Sequence, residues 1–126
     1  MMIFDNGICL ITDNVPRLVK FYEKVLQTTS EGDDTHTFIL IDGGSLAVYS
    51  KSAAINDMGF DFSKFYGTGM FTFGFTVENV DDEFNRLKSS DLNIEFVSVP
   101  TTYPWGTRSM HFRDPDGNIV CFRKLA

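Results

Sequence analysis

The sequence predicts an α+β chain built from two strand–helix–strand–strand–strand (βαβββ) modules, on three observations. Two apolar stripes recur at helical period, each opened by an asparagine that can cap a helix, Asn14 and Asn79. One alternating run precedes each stripe, and three short ones follow it. Aligning the two caps sets Asp13 over Glu78 and Val15 over Val80, a fixed-offset self-match of the kind an internal repeat leaves. The modules cover about 1–51 and 70–126 with a linker at 52–69. Neither half can close a core alone, so 1–126 is expected to form a single domain.

In the first module, residues 3–12 alternate loosely and stop at Thr12-Asp13-Asn14, as a strand ending at a helix cap does. Strand parity sends Ile8 and Leu10 toward the helix and Gly7, Cys9 and Ile11 to the opposite face. Pro16 sits in the first turn of a helix expected over 15–27, and Val15, Leu18, Val19, Tyr22, Val25 and Leu26 form its apolar stripe. Strands are expected near 28–32, 36–42 and 45–51, the last two joined by Asp42-Gly43-Gly44. His36, beside Asp33, Asp34 and Thr35, reads as an exposed loop-end residue. Residues 52–69 show no clean period: glycines punctuate Met58, Phe60, Phe62, Phe65 and Tyr66, an apolar surface of the kind that marks an interface. An isologous homodimer is therefore expected.

The second module restarts with a strand at 70–78, Phe73, Phe75 and Val77 facing the helix and Thr72, Gly74 and Thr76 facing away. Asn79 caps a helix carrying Val80, Phe84 and Leu87, with Asp81, Asp82 and Glu83 in the first turn, where they favour the helix dipole. Strands follow near 93–99, 107–113 and 119–124, the last two joined by Asp114-Pro115-Asp116-Gly117-Asn118. In the final strand Val120 and Phe122 oppose Ile119, Cys121 and Arg123. Bulky residues on the helix side and small or polar ones on the inner side leave a hollow, unless the inner face packs on the other half or on a partner chain. On these strand assignments no Asp or Glu falls on the inner parity.

The charge balance narrows the function. With 11 Lys+Arg against 17 Asp+Glu the net charge is −6, which disfavours nucleic acid and anionic membrane as partners. Cys9 and Cys121 lie far apart with no CxxC, which argues against a disulfide scaffold or zinc knuckle. Met1-Met2-Ile3-Phe4-Asp5 lacks a basic n-region, and no apolar run approaches the roughly 20 residues a bilayer span needs, so a reduced cytoplasmic location is expected. The 13 Phe suffice to build a core and to line a cavity as well.

The run Leu10-Ile11-Thr12-Asp13-Asn14-Val15-Pro16-Arg17-Leu18-Val19-Lys20-Phe21-Tyr22 resembles the opening of many vicinal oxygen chelate proteins. The resemblance continues through Phe73 to Leu87, Pro104-Trp105-Gly106-Thr107-Arg108-Ser109 and Phe112-Arg113-Asp114-Pro115-Asp116-Gly117-Asn118. The family is the glyoxalase / bleomycin-resistance / extradiol-dioxygenase superfamily. It implies two βαβββ modules whose mixed sheet curves in a U around a cavity, usually in homodimers. Its enzymes, lactoylglutathione lyases and dioxygenases among them, hold a divalent metal at four positions that map here to Gly7, Ala47, Thr72 and Cys121. Only Cys121 of these is a conceivable ligand, so the resemblance implies neither a metal nor another cofactor for this chain.

The candidate ligand-binding residues are Cys9, Tyr49, Thr72, Trp105, Ser109, His111, Cys121 and Arg123, with His111 and Cys121 as candidate catalytic groups. The alignment turns His111 and Ser109 toward the cavity, where the imidazole serves a ligand, acts as a base, or merely satisfies a neighbour. Cys9 and Cys121 share the inward parity and are either reactive, Cys121 with Arg123 as the cation that lowers a thiol pKa, or inert buried thiols. Trp105 and Tyr103 precede an inward-facing strand, and Tyr49 shares a face with Ala47; aromatic walls suit a flat organic ligand, and core packing is the alternative. Arg123 is the better anion contact, ahead of Arg108 and Arg113.

The expected function is a metal-free small-molecule binding protein that sequesters an organic ligand, cationic or aromatic, as bleomycin-resistance proteins do. The alternatives are a metal-independent lyase or isomerase using His111, Cys121 or Arg123, and a regulatory partner protein with a vestigial cavity.

Overall fold

The computed structural model describes residues 2, 3, 5–63 and 71–126. In chain order the elements are β1 (Ile8–Thr12), α1 (Val15–Leu26), β2 (Ser30–Gly32), β3 (His36–Ile39), β4 (Leu46–Ser50), α2 (Lys51–Met58), β5 (Thr72–Thr76), α3 (Val80–Lys88), β6 (Phe96–Thr102), β7 (Thr107–Arg113) and β8 (Ile119–Leu125). The chain divides into two compact units, residues 1–66 and 67–126. Each holds a four-stranded mixed sheet, ordered β1-β4-β3-β2 in the first and β5-β8-β7-β6 in the second. The repeat read from the two caps is thus a repeat of topology: the first strand of each unit pairs parallel with the last, and the other pairs are antiparallel.

In the first unit the Asn14 side chain accepts a hydrogen bond from the Arg17 backbone N–H at 3.1 Å, satisfying a donor that the first turn of α1 leaves open. The helix buries Val15, Leu18, Phe21, Tyr22 and Val25 against β3 and β4, and Tyr22 is fully enclosed. Each such side chain contributes about 1.5–3 kcal/mol on burial. Phe21, outside the expected stripe, is buried with its ring edge-on to Tyr22 at 5.3 Å. The helix ends where Gln27 turns left-handed, at φ 51°, and its N–H reaches the Glu23 carbonyl.

Within the segment read as a linker lies α2. Ser50 caps it, Gly59 ends it in the left-handed region at φ 72°, and of its residues only Ala54 is buried. One buried residue leaves no stripe, so periodicity is silent here although a start signal, Ser50, and a stop signal, Gly59, are both present. Met58 and Phe60 are exposed, and Phe62 is half-buried with the Lys51 ammonium 5.6 Å from its ring centre. Phe65, Tyr66 and Met70 lie outside the described residues.

In the second unit Asn79 caps α3 by accepting from Asp82 N at 3.0 Å, and the helix packs on β6, β7 and β8. Phenylalanine dominates the core between them. Ring contacts run without a break from Phe71 through Phe73, Phe75, Phe122, Phe112 and Phe96 to Phe84 of α3, with centroids 4.8–6.5 Å apart. Strand β6 starts at Phe96, three residues later than the sequence pattern places it. Asn93 takes a left-handed φ of 54°, which holds the chain in its turn after α3. Two register shifts interrupt β6, and the second, between Ser98 and Thr101, spans Pro100 on this edge strand, where a missing N–H is tolerated.

Candidate functional site

In each unit the sheet face away from the main helix collects the residues singled out from the sequence. Register fixes who stands beside whom. Across the second sheet one row reads Gly74, Cys121, His111, Ser98, and the next reads Thr76, Arg123, Ser109, Thr101. A third row sets Thr72 beside Ile119 and Arg113. The structure therefore brings Ser109, His111, Cys121 and Arg123 together, with Thr72 one row from Cys121.

His111 is held by a residue the sequence reading overlooked. Its Nδ1 lies 2.7 Å from the Ser98 hydroxyl, so one ring nitrogen has a partner and Nε2 is the one left to address a ligand. Ser98 escaped notice because the bulges of β6 break the parity from which its face would have been read. Burial pushes the His111 pKa below its ordinary 6.5 by disfavouring the charged ring. With the folded-state pKa lowered, the unfolded chain binds the proton more readily. His111 therefore contributes stability above about pH 6.5 that is lost as pH falls through the lower folded value. NMR titration of the ring should give a midpoint below 6.5, and a midpoint above it contradicts the geometry.

Cys121 is a buried free thiol. Burial pushes its pKa up, while the Arg123 charge and a hydrogen bond with the Ser109 side chain pull the other way. The net shift is upward, so this thiol is not poised as a thiolate nucleophile. On its β5 side stands Gly74, where a Cβ would lie 3.4 Å from Cys121 Cβ and 3.8 Å from Sγ, so this position places no side chain against the thiol.

The corresponding face of the first sheet is apolar and aromatic. Its rows read Cys9, Ala47, Phe38, Glu31 and Ile11, Tyr49, His36. Cys9 is an exposed free thiol whose pKa partial burial also raises. Phe38 is 46% exposed. Its ring lies 4.7 Å from that of His36, which in turn meets Tyr49 edge-on at 5.2 Å. His36 is exposed, as its neighbours suggest, but its ring belongs to this aromatic group and not to the loop. The parity argument that no acid falls on these faces fails on its own assignments at Glu78, which follows Thr76 at the same parity, and is corrected further by Glu31, in register with Phe38, and by Glu95, which reaches the Arg113 guanidinium at 2.8 Å. The latter two sit at or beside edge strands whose ends the pattern locates poorly.

Trp105 stands apart from the rows. It occupies the β6–β7 turn, 72% exposed and stacked on Tyr103 at 4.7 Å with the rings 5° from parallel. Arg108 is likewise engaged elsewhere, in a two-point pair with Asp81 of α3 at 2.7 Å.

The four positions that the resemblance assigns to a metal do not fit one. Ala47 has only a methyl group, Thr72 a neutral hydroxyl and Cys121 a single buried thiol. Gly7 is closed to any side chain: its φ is +90°, and a Cβ there would overlap the Ser45 carbonyl oxygen and stand 2.6 Å from Ser45 Cβ. Among the described residues no three His, Cys, Asp or Glu side chains come together as a group that could hold a metal ion.

Two units of one βαβββ topology, each with a helix-covered face and a helix-free face, define the class of protein. A family model for the Glyoxalase/Bleomycin resistance protein/Dioxygenase superfamily matches residues 6–122. The chain belongs to that superfamily.

Solved structures agree on the fold. A glyoxalase/bleomycin resistance protein/dioxygenase family enzyme from Burkholderia phytofirmans PsJN superposes with a TM-score of 0.83 at 14% identity, over 98% of this chain and 100% of that one. A glyoxalase/bleomycin resistance protein/dioxygenase from Nocardioides gives 0.81 at 22% identity, over 99% and 85%. A glyoxalase-related enzyme from Fulvimarina pelagi gives 0.79 at 17% identity, over 97% and 88%. Among curated proteins none matches the sequence. No helix among the described residues is long and apolar enough to cross a membrane.

Proposed function

We propose that the chain is a small-molecule binding protein that holds an aromatic-bearing organic ligand on a helix-free sheet face without a metal. The observation that carries the reading is Gly7: the first metal position of the family cannot accept a liganding side chain without rebuilding the β1 entry. The exposed rings of Phe38 and His36 beside Tyr49 support an aromatic ligand, since flat rings stack on such a surface.

The two units act as one domain in this reading, and the chain is a cytoplasmic homodimer. Met58 and Phe60, exposed beside α2, supply part of the apolar surface for that contact. Sedimentation at micromolar concentration would show the dimer.

An enzyme that dispenses with metal is the second reading, favoured by one feature: the Ser98–His111 pair leaves Nε2 available as a base next to Cys121. A thermal-shift screen over aromatic acids, aromatic amines and thiol adducts, with each hit tested for turnover, separates the two. Binding without turnover supports a binding protein, turnover supports the enzyme, and a screen without hits contradicts both.

A further inference from the structure

The charges on the helix-free face of the second sheet are unevenly answered. Three arginines of this unit hold carboxylates: Arg86 meets Glu83 at 2.6 Å, Arg108 meets Asp81 at 2.7 Å and Arg113 meets Glu95 at 2.8 Å. Arg123 makes no ion pair with the described residues. Its neighbours in the sheet show what surrounds it. Along its row stand Thr76, Ser109 and Thr101, and in the adjacent row Gly74, Cys121, His111 and Ser98. None of these carries a negative side chain at neutral pH, since burial keeps the Cys121 thiol protonated and the His111 ring neutral. Glu95 comes to this face only at its far end, two rows from Arg123, and there it is bound to Arg113. Lys124, next along β8, turns to the other side and donates to the Glu78 carbonyl at 2.7 Å.

A guanidinium one row from a half-buried imidazole, ringed by hydroxyls and in no ion pair with a described carboxylate, has the chemistry of an anion site. Ser98 holds the imidazole through Nδ1, so Nε2 is presented in a fixed direction, and Gly74 places no side chain on the row. We propose that Arg123, with His111, binds the carboxylate of the small organic ligand. This rests on the small-molecule reading above and narrows it, because it selects an acid over the amine that the net charge alone would favour. Neutral His111 donates from Nε2 when the Ser98 hydroxyl donates to Nδ1, and the two donors then meet the two oxygens of one carboxylate.

The test uses the full-length 15N-labelled chain and three probes that share a ring and differ in head group: benzoate, benzyl alcohol and benzylamine. Benzoate is expected to shift the amides of Ser109, His111, Cys121 and Arg123 and to bind roughly tenfold more tightly than benzylamine. Arg123→Gln, at an exposed position where folding tolerates the change, is expected to erase that preference, and Arg123→Lys to retain part of it. Benzylamine or benzyl alcohol binding as well as benzoate overturns the carboxylate proposal and leaves the small-molecule reading standing. A preference that survives in Arg123→Gln, or no shift at these amides by about 10 mM benzoate, also overturns it. Failure of the small-molecule reading itself shows differently, as a thermal-shift screen without hits.

Discussion

Phe112→Ala should destabilise the protein by about 3–5 kcal/mol, read as a lowered denaturation midpoint in urea. Phe112 is fully buried on the helix side of β7, edge-on to Phe122 at 5.1 Å and in contact with Phe96 at 6.5 Å. Removing it breaks the row of rings at its centre and leaves a cavity that the sheet cannot collapse to fill, because β6 and β8 flank β7 on both sides. A domain of this size has a total stability of about 5–15 kcal/mol, so the loss is a large fraction of it. Phe38→Ala is the comparison, because that ring is 46% exposed on the helix-free face and its removal should cost under about 1 kcal/mol. Equal effects at the two positions would mean that the assignment of helix-covered and helix-free faces is wrong.

Asp114→Ala is expected to cost about 2–4 kcal/mol, because three donors lose their acceptor at once. The carboxylate is 4% exposed. Its oxygens accept from Asp116 N at 2.9 Å, Asn118 N at 3.0 Å and Asn118 Nδ2 at 2.8 Å. The turn also closes through backbone, Asp114 N to the Asn118 carbonyl at 2.9 Å and Gly117 N to the Asp114 carbonyl at 3.0 Å. This turn sets the β7–β8 register, and with it the pairing of His111 with Cys121 and of Ser109 with Arg123. The variant should therefore broaden the amide signals of those four residues as well as lower the melting temperature. A loss of less than about 0.5 kcal/mol would reduce Asp114 to a turn former of ordinary kind.

Much of this architecture was legible because its signals are local. Asn14 and Asn79 cap the helices they were read to cap, and β7 has the bounds expected of it. The alternation of Phe73 and Phe75 with Thr72, Gly74 and Thr76 gave the faces of β5 directly. What escaped was non-local or aperiodic. A helix with one buried alanine has no stripe to detect. The bulged, proline-bearing β6 hides Ser98 until its pairing is known, and the edge-on contact of His36 with Tyr49 depends on the β3–β4 register. Trp105 shows the converse limit, because a motif places it in a turn without saying which way its ring lies.

The family's first metal position carries the central claim, because the account makes Gly7 incompatible with a liganding side chain and, among the described residues, leaves Cys121 without fellow metal ligands. Metal analysis of protein purified without an affinity tag tests it most directly. The account predicts well under one Zn, Ni, Fe, Mn or Co per chain and a melting temperature unchanged by chelator. One metal per chain, or a large melting shift on chelation, would contradict it.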